Sequence, residues 1–188
     1  MTASLRQFHR LIASLLFCLG VFAPLPVIAQ QSLTVTSSAL SDGGMLTVKN
    51  ANSANNCGGG NVSPPLAWSG APAETRSFAV VMIDPDGGKG LGSVHWVAYG
   101  IDPSVTSFAE GEGSSASQKF VGGNNGASMV YRGPCPPAGD PLHHYVIGVY
   151  ALDLAPNALQ PGLTRDAFLE AIRGHNLAEA SIVGRYAR

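Results

Sequence analysis

Glycine and proline punctuate this chain so densely that only short extended segments fit between them: 23 glycines and 13 prolines lie among 188 residues. Leu33 to Thr36 and Met45 to Val48 are small β-branched runs, and Phe78 to Ile83 is continuously apolar. Val94 to Ile101 and His144 to Leu152 are rich in Val, Ile, Tyr and Trp. Such residues suit a pleated, packed surface, whereas the glycine-rich stretches at 58 to 60, 87 to 92 and 111 to 126 mark long loops. Many short strands joined by turns predict a mainly β domain, a sandwich or a barrel. One segment has helical character: Thr164 suits an N-cap, Phe168, Leu169 and Ile172 recur at helical spacing, and Gly174 suits the stop. The tail from Ala180 to Tyr186 then reads as a last strand.

The first 29 residues do not belong to that pattern. Arg6, His9 and Arg10 appear without an acid, an apolar run follows from Leu11 to Ala23, and Val-Ile-Ala ends at Ala29. This is the pattern of a signal peptide cut before Gln30, and the run is too short to span ~30 Å of hydrocarbon at 1.5 Å per residue. An uncleaved anchor is the alternative, as is a lipoprotein acylated on Cys18. Against the latter, Phe17 is bulky where a small residue is required, and Cys18 lies inside the apolar run. The expectation is a periplasmic or secreted protein with no stable membrane span after processing.

Residues 30–188 are enough for one domain with a proper core and too few for two comfortable ones. The full chain has 11 basic and 12 acidic side chains; removing Arg6 and Arg10 leaves 9 and 12, a formal charge of −3. No basic patch stands out, so nucleic-acid or membrane-surface binding is not expected. Of three cysteines, Cys18 leaves with the leader, so Cys57 and Cys135 remain. An even count in an oxidising compartment predicts a disulfide between them, the alternative being two buried free thiols.

Three clusters carry polar chemistry. Asp84-Pro85-Asp86-Gly87 follows directly on the apolar run, and Pro85 restricts the backbone between the two carboxylates. Read alone, these four residues are more often a surface turn. His95 opens a strand in which His95, Val97, Tyr99 and Ile101 share one face, with Val94, Trp96 and Ala98 on the other. A lone histidine there is more often satisfied by a backbone carbonyl than functional. In the third cluster, period-two geometry puts His143 and Tyr145 on one side and His144 on the other. The proline-rich loop before them leaves the amides of Gly133 and Cys135 free to face a ligand, or else forms a packed corner.

Their order resembles a known family. GGGNVSPPLAWSG at 58 to 70, TRSFAVVMIDPD at 75 to 86, VHWVAYGID at 94 to 102, YRGPCPPAGDPLHHYVIGVYALD at 131 to 153 and FLEAIRGHNLAEASIVGRYAR at 168 to 188 together are similar to the phosphatidylethanolamine-binding proteins, in particular the bacterial branch called Raf kinase inhibitor-like proteins. The resemblance covers nearly all of residues 30–188. It implies two packed antiparallel sheets, a short C-terminal helix near the pocket, and a small cavity for phosphate, phosphoryl head groups or similar anions. Carried over by motif position, its pocket residues are Asp84, Asp86, His95, Tyr131, the backbone at Gly133 and Cys135, His143 and Tyr145. No cofactor and no metal are implied. The chain departs from the family pattern at Gly87, Gly88, Ser93 and Val94, where an Ala-Pro pair, an aromatic and a second histidine are usual. That departure implies a more open and flexible rim.

The expected function is therefore that of an exported protein binding a small anion, with regulation or inhibition of another protein as its outlet. An exported location fits a kinase target poorly. Two alternatives remain: a hydrolase using the Asp and His cluster, disfavoured because no GxSxG or HExxH signature is present, and a partner-binding factor acting through the glycine-rich loops.

Overall fold

The computed structural model describes residues 32–188, so the leader expected over 1–29 and its expected cleavage point lie outside the described residues. In chain order the strands are β1 (Thr34–Thr36), β2 (Gly44–Met45), β3 (Leu66–Ser69), β4 (Ser77–Asp84), β5 (Ser93–Ile101), β6 (Ser107–Phe108), β7 (Val121–Gly122), β8 (His143–Leu152) and β9 (Asn176–Tyr186). They form two sheets, one of three strands in the order β1-β3-β6 and one of six in the order β2-β9-β8-β4-β5-β7. Every pairing is antiparallel except β2 with β9, which is parallel. The expected two-sheet, mainly β architecture is thus what forms, with one parallel edge pair that the sequence reading did not anticipate.

The apolar run of β4 is continuous because both of its faces are covered. Phe78, Val80 and Met82 pack with Trp68, Trp96 and Phe108 between the two sheets. Ala79 and Val81 face the other way, onto a second cluster with Tyr99, Phe168 and Ile172. Phe168 belongs to the helix Arg165–Ala171, whose N-cap Thr164 accepts a hydrogen bond from the Ala167 amide through Oγ1 at 3.3 Å. Gly174 follows with φ +80°, the left-handed turn that ends a helix at little steric cost. The helix is short, but it covers the outer face of the large sheet.

Three readings of the strands change in the structure. β9 starts at Asn176 rather than Ala180, because it pairs with the whole of β8, from Tyr186 opposite His143 to Asn176 opposite Leu152. β3, β6 and β7 carry no run of β-branched residues and are not read as strands from the sequence. The faces of β5 are not simply alternating: Ile101 packs with Trp96 and Ala98, and Val94 with Val97 and Tyr99. Gly100 at φ +65° breaks the alternation before Ile101. At the other end Met82 pairs with Trp96 while Ile83 pairs with Val94. His95 is the extra residue of that β-bulge, a device that re-aims a side chain without breaking the sheet.

The loops at this end are cross-tied. Cys57 and Cys135 form a disulfide with their Cα atoms 5.5 Å apart, within the usual span of such a bond. The Asn52 amide donates to the Pro134 carbonyl at 2.9 Å. Arg188 donates to the carbonyls of Pro136 and Asn56, at 3.0 Å and 2.6 Å. The loop of residues 50 to 61 is thereby held against the proline-rich segment after Tyr131.

Candidate functional site: a cavity at the ends of three strands

A cavity of about 390 Å³ opens where β4 ends and where β5 and β8 begin, and residues of the 132 to 137 segment form part of its wall. Asp84 is the last residue of β4 and is only 3% exposed. Its Oδ1 accepts the amides of Asp86 at 3.0 Å and Gly87 at 2.9 Å. Its Oδ2 accepts from His143 Nδ1 at 2.8 Å. A buried carboxylate is stable only with such a complement of donors.

His143 is the first residue of β8 and is buried against this carboxylate. Desolvation pulls its pKa down, but the hydrogen bond and charge of Asp84, with smaller contributions from Asp86 and Asp140, outweigh it and leave it raised. Its Nε2 lies 3.6 Å from Asp140 Oδ2, a half-exposed carboxylate three residues back. That distance is too long for a hydrogen bond, yet the charge occupies the approach that an anion would use. We expect Asp140→Asn to raise the affinity of the cavity for phosphate several-fold, read by calorimetric titration; unchanged or weaker binding would remove Asp140 from the site.

His95 behaves oppositely. Its Nδ1 bonds the Arg132 carbonyl at 2.7 Å, and because a carbonyl only accepts, Nδ1 carries the proton. Burial pushes its pKa down, and the Arg132 carbonyl only partly offsets this. The bulge is fastened in turn: the His95 carbonyl accepts from the Arg132 amide at 2.9 Å and from Asn125 Nδ2 at 3.0 Å. Two histidines on one cavity thus differ in charge preference, one shifted toward the neutral ring and one toward the imidazolium.

The remaining positions divide. Asp86 lines the rim, where its Oδ2 accepts from His144 at both the amide, 2.8 Å, and Nδ1, 2.9 Å. The hydrogen bond from the His144 side chain leads the effects that lower its pKa. Cys135 lines the cavity, and its amide has no intramolecular partner among the described residues. Gly133 also lines it, but its amide is not free as expected: it donates to Asn61 Oδ1 at 2.8 Å. An added Cβ at Gly133 would meet the Asn50 carbonyl oxygen at 2.2 Å, so close approach of two loops is what requires glycine there.

The two tyrosines lie behind the wall rather than on it. Tyr131 is buried in the core and donates its hydroxyl to the Asn50 carbonyl at 2.9 Å. Tyr145 stacks edge-on against His95 with ring centroids 5.2 Å apart. Its hydroxyl is buried beside Asp84 without a hydrogen-bond partner among the described residues. Burial first, and the Asp84 charge second, push its pKa up.

Several lining residues were not singled out in the sequence. Arg132 and Asp140 sit inside the 131 to 153 motif, Lys89 in the glycine loop, and Asn52 and Asn55 in a loop far away in the chain. The predicted disulfide is the one sequence signal that brings the last two near Cys135. Arg132 donates through one terminal nitrogen to the Val94 carbonyl at 2.8 Å, and its Nε is buried and unpartnered among the described residues.

Comparison with known proteins agrees with this architecture. The family model described as Phosphatidylethanolamine-binding protein matches residues 36–187. A UPF0098 protein of Methanothermobacter thermautotrophicus is 40% identical over 135 residues, covering 70% of this chain and 87% of its own length. LppC of Mycobacterium tuberculosis, named as a lipoprotein, is 37% identical over 166 residues, covering 88% and 78%. Among solved structures, YbcL of Escherichia coli, described as a member of the mammalian PEBP family, superimposes with a TM-score of 0.77 at 33% identity, covering 84% of this chain and 99% of that one. CT736 of Chlamydia trachomatis gives 0.72 at 33% identity with the same coverage. With the family model spanning the large sheet, the helix and the whole cavity wall, this chain belongs to the phosphatidylethanolamine-binding protein family.

Proposed function

We propose that the cavity binds a small anion, either phosphate or a phosphoryl group carried by a larger molecule, and that the protein acts as an exported binding protein rather than an enzyme. The observation that carries this reading is the buried Asp84–His143 pair, which favours a protonated imidazole on the cavity wall. Lys89 and Arg132 add two basic residues to the lining. The unpartnered Cys135 amide is a further donor. Asp84 and Asp86 do not repel an anion at full strength, since each is already hydrogen-bonded by donors of its own.

The Asp84–His143 contact also resembles half of a nucleophilic triad, which is the observation favouring a hydrolase. Two features favour binding instead. Nε2 of His143 faces the Asp140 carboxylate rather than a hydroxyl, and Cys135 is oxidised in the disulfide. Export is supported by the leader pattern of residues 1–29 and by LppC, a relative named as a lipoprotein. Among the described residues no helix is long and apolar enough to cross a membrane.

The test is calorimetric titration of residues 30–188 with phosphate and with phosphoethanolamine. Saturable one-to-one binding supports the reading; absence of heat with both ligands overturns it. The pH dependence has a definite sign. Because the His143 pKa is raised, the imidazolium that donates to the anion is present at mildly acid pH and is lost as pH rises through that raised value. Affinity, corrected for the ligand's own titration, is therefore expected to fall as pH rises above the ordinary histidine value of ~6.5. A flat profile would exclude His143 as the charged donor.

A further inference from the structure

The loop that joins β4 to β5 replaces the family's stiffer rim with glycines at 87, 88, 90 and 92 around a single lysine. Its base is secured: Asp84 Oδ1 holds the amides of Asp86 and Gly87, and the Gly92 amide returns to the Gly87 carbonyl at 3.0 Å. Within it Gly88 and Lys89 both take left-handed backbone angles, φ +57° and φ +60°. Glycine adopts that conformation freely, but lysine does so only under strain. A strained non-glycine residue set among glycines is informative, because glycine in its place would relax the turn.

Lys89 lines the cavity. The chain has three lysines, and the other two are held in ion pairs, Lys49 with Glu110 and Lys119 with Glu112. Lys89 forms no ion pair among the described residues. Arg132 and His143 line the same cavity, as do the carboxylates of Asp84, Asp86 and Asp140, of which Asp84 and Asp86 already accept hydrogen bonds from other groups. Three basic residues from three segments of chain thus line one space, and one of them is carried by a backbone conformation that disfavours it.

We propose that Lys89 is the charge-selecting residue of this cavity, and that the ligand class it selects is a phosphomonoester dianion rather than a phosphodiester monoanion. The inference rests on the anion-binding reading above and deepens it. A terminal phosphoryl group presents three oxygens and close to two charges at neutral pH. It can engage His143 and Arg132 on one side and still offer an oxygen to Lys89 at the rim. A diester has two of its oxygens esterified and a single charge, so the third cation gains little from it.

The experiment compares methyl phosphate with dimethyl phosphate at about pH 7.5, where only the first is largely a dianion, on the purified protein and on Lys89→Gln and Lys89→Gly. The expected result is binding of methyl phosphate about tenfold tighter than of dimethyl phosphate, with that margin erased in both variants. Lys89→Gly is also expected to raise the melting temperature by roughly 2 °C through relief of the left-handed lysine. This rise separates loss of charge from loss of fold. Equal affinity of the native protein for both ligands, or variants that keep the margin, would overturn the role of Lys89 while leaving the anion site standing. Binding of neither ligand would overturn the anion site itself.

The same group can come from a soluble phosphomonoester or from a lipid such as phosphatidic acid. Co-sedimentation with phosphatidylcholine vesicles containing phosphatidic acid, competed by methyl phosphate and weakened by Lys89→Gln, assigns the lipid source. Protein that stays in the supernatant yet binds methyl phosphate assigns the soluble one. Sedimentation that Lys89→Gln leaves unchanged counts against the proposal.

Discussion

Replacing Asp84 with alanine is expected to abolish phosphate binding and to destabilise the domain by about 3 kcal/mol, the lower end of the cost of breaking a buried charged pair. The side chain has no redundant hydrogen bond. Oδ2 holds His143, and Oδ1 holds two amides that start the glycine loop. Its loss leaves the His143 ring with the half-exposed Asp140 carboxylate as its remaining ion-pair contact, at 3.6 Å. It also leaves two amides at the cavity floor without their acceptor. Denaturant melts at two pH values separate the electrostatic part. A histidine whose folded pKa is raised contributes stability that is fully present below its unfolded value, near ~6.5, and is lost as pH rises through the folded one. The cost of Asp84→Ala should therefore be larger at about pH 6 than at about pH 9. An equal cost at both would mean that the turn amides, rather than the histidine charge, dominate.

Removing the disulfide should have the next largest effect. Cys57 and Cys135 close a loop with a sequence separation of 78, and on the chain-entropy account such a cross-link stabilises the fold by about 4 kcal/mol. The double replacement Cys57→Ser with Cys135→Ser is thus expected to lower stability by roughly that amount. Binding should suffer as well, since Asn52 and Asn55 come from one tied loop and Gly133, Pro136 and Pro137 from the other. The Asn52 amide to Pro134 and the two Arg188 contacts remain to hold the loops together. Loss of less than about 1 kcal/mol would show that these hydrogen bonds, and not the covalent bond, hold the wall in place.

The architecture explains why both changes act on the cavity. The cavity is formed at one end of the strands, where backbone groups leave the ladder and side chains are no longer committed to the core. β4, β5 and β8 are adjacent in the large sheet, so Asp84, His95 and His143 are brought together by pairings that do not depend on any ligand. The sheet supplies rigidity, and the loops supply charge.

The share of this that was legible in the sequence follows the range of the interactions. β4, β5 and β8 could be read because an apolar or β-branched run reports directly on burial, and the helix could be read because Thr164, Phe168 and Gly174 act locally as cap, anchor and stop. The resemblance of ordered motifs indicated the family and the neighbourhood of Asp84, Asp86, His95 and His143, and pairing two cysteines required only a count. Period-two geometry placed His143 and Tyr145 together and His144 apart, and burial in β8 follows that alternation. What the sequence could not determine was set by contacts between distant residues. The bulge that turns His95 arises from register against β4, and the glycine at 133 answers to the Asn50 carbonyl. The opposite charge preferences of His95 and His143 come from burial of the first, which a carbonyl 37 residues away only partly offsets, and from a carboxylate 59 residues away beside the second. Strand period and capping are local properties of the chain, whereas desolvation, ion pairing and close backbone approach exist only after folding has brought remote groups together.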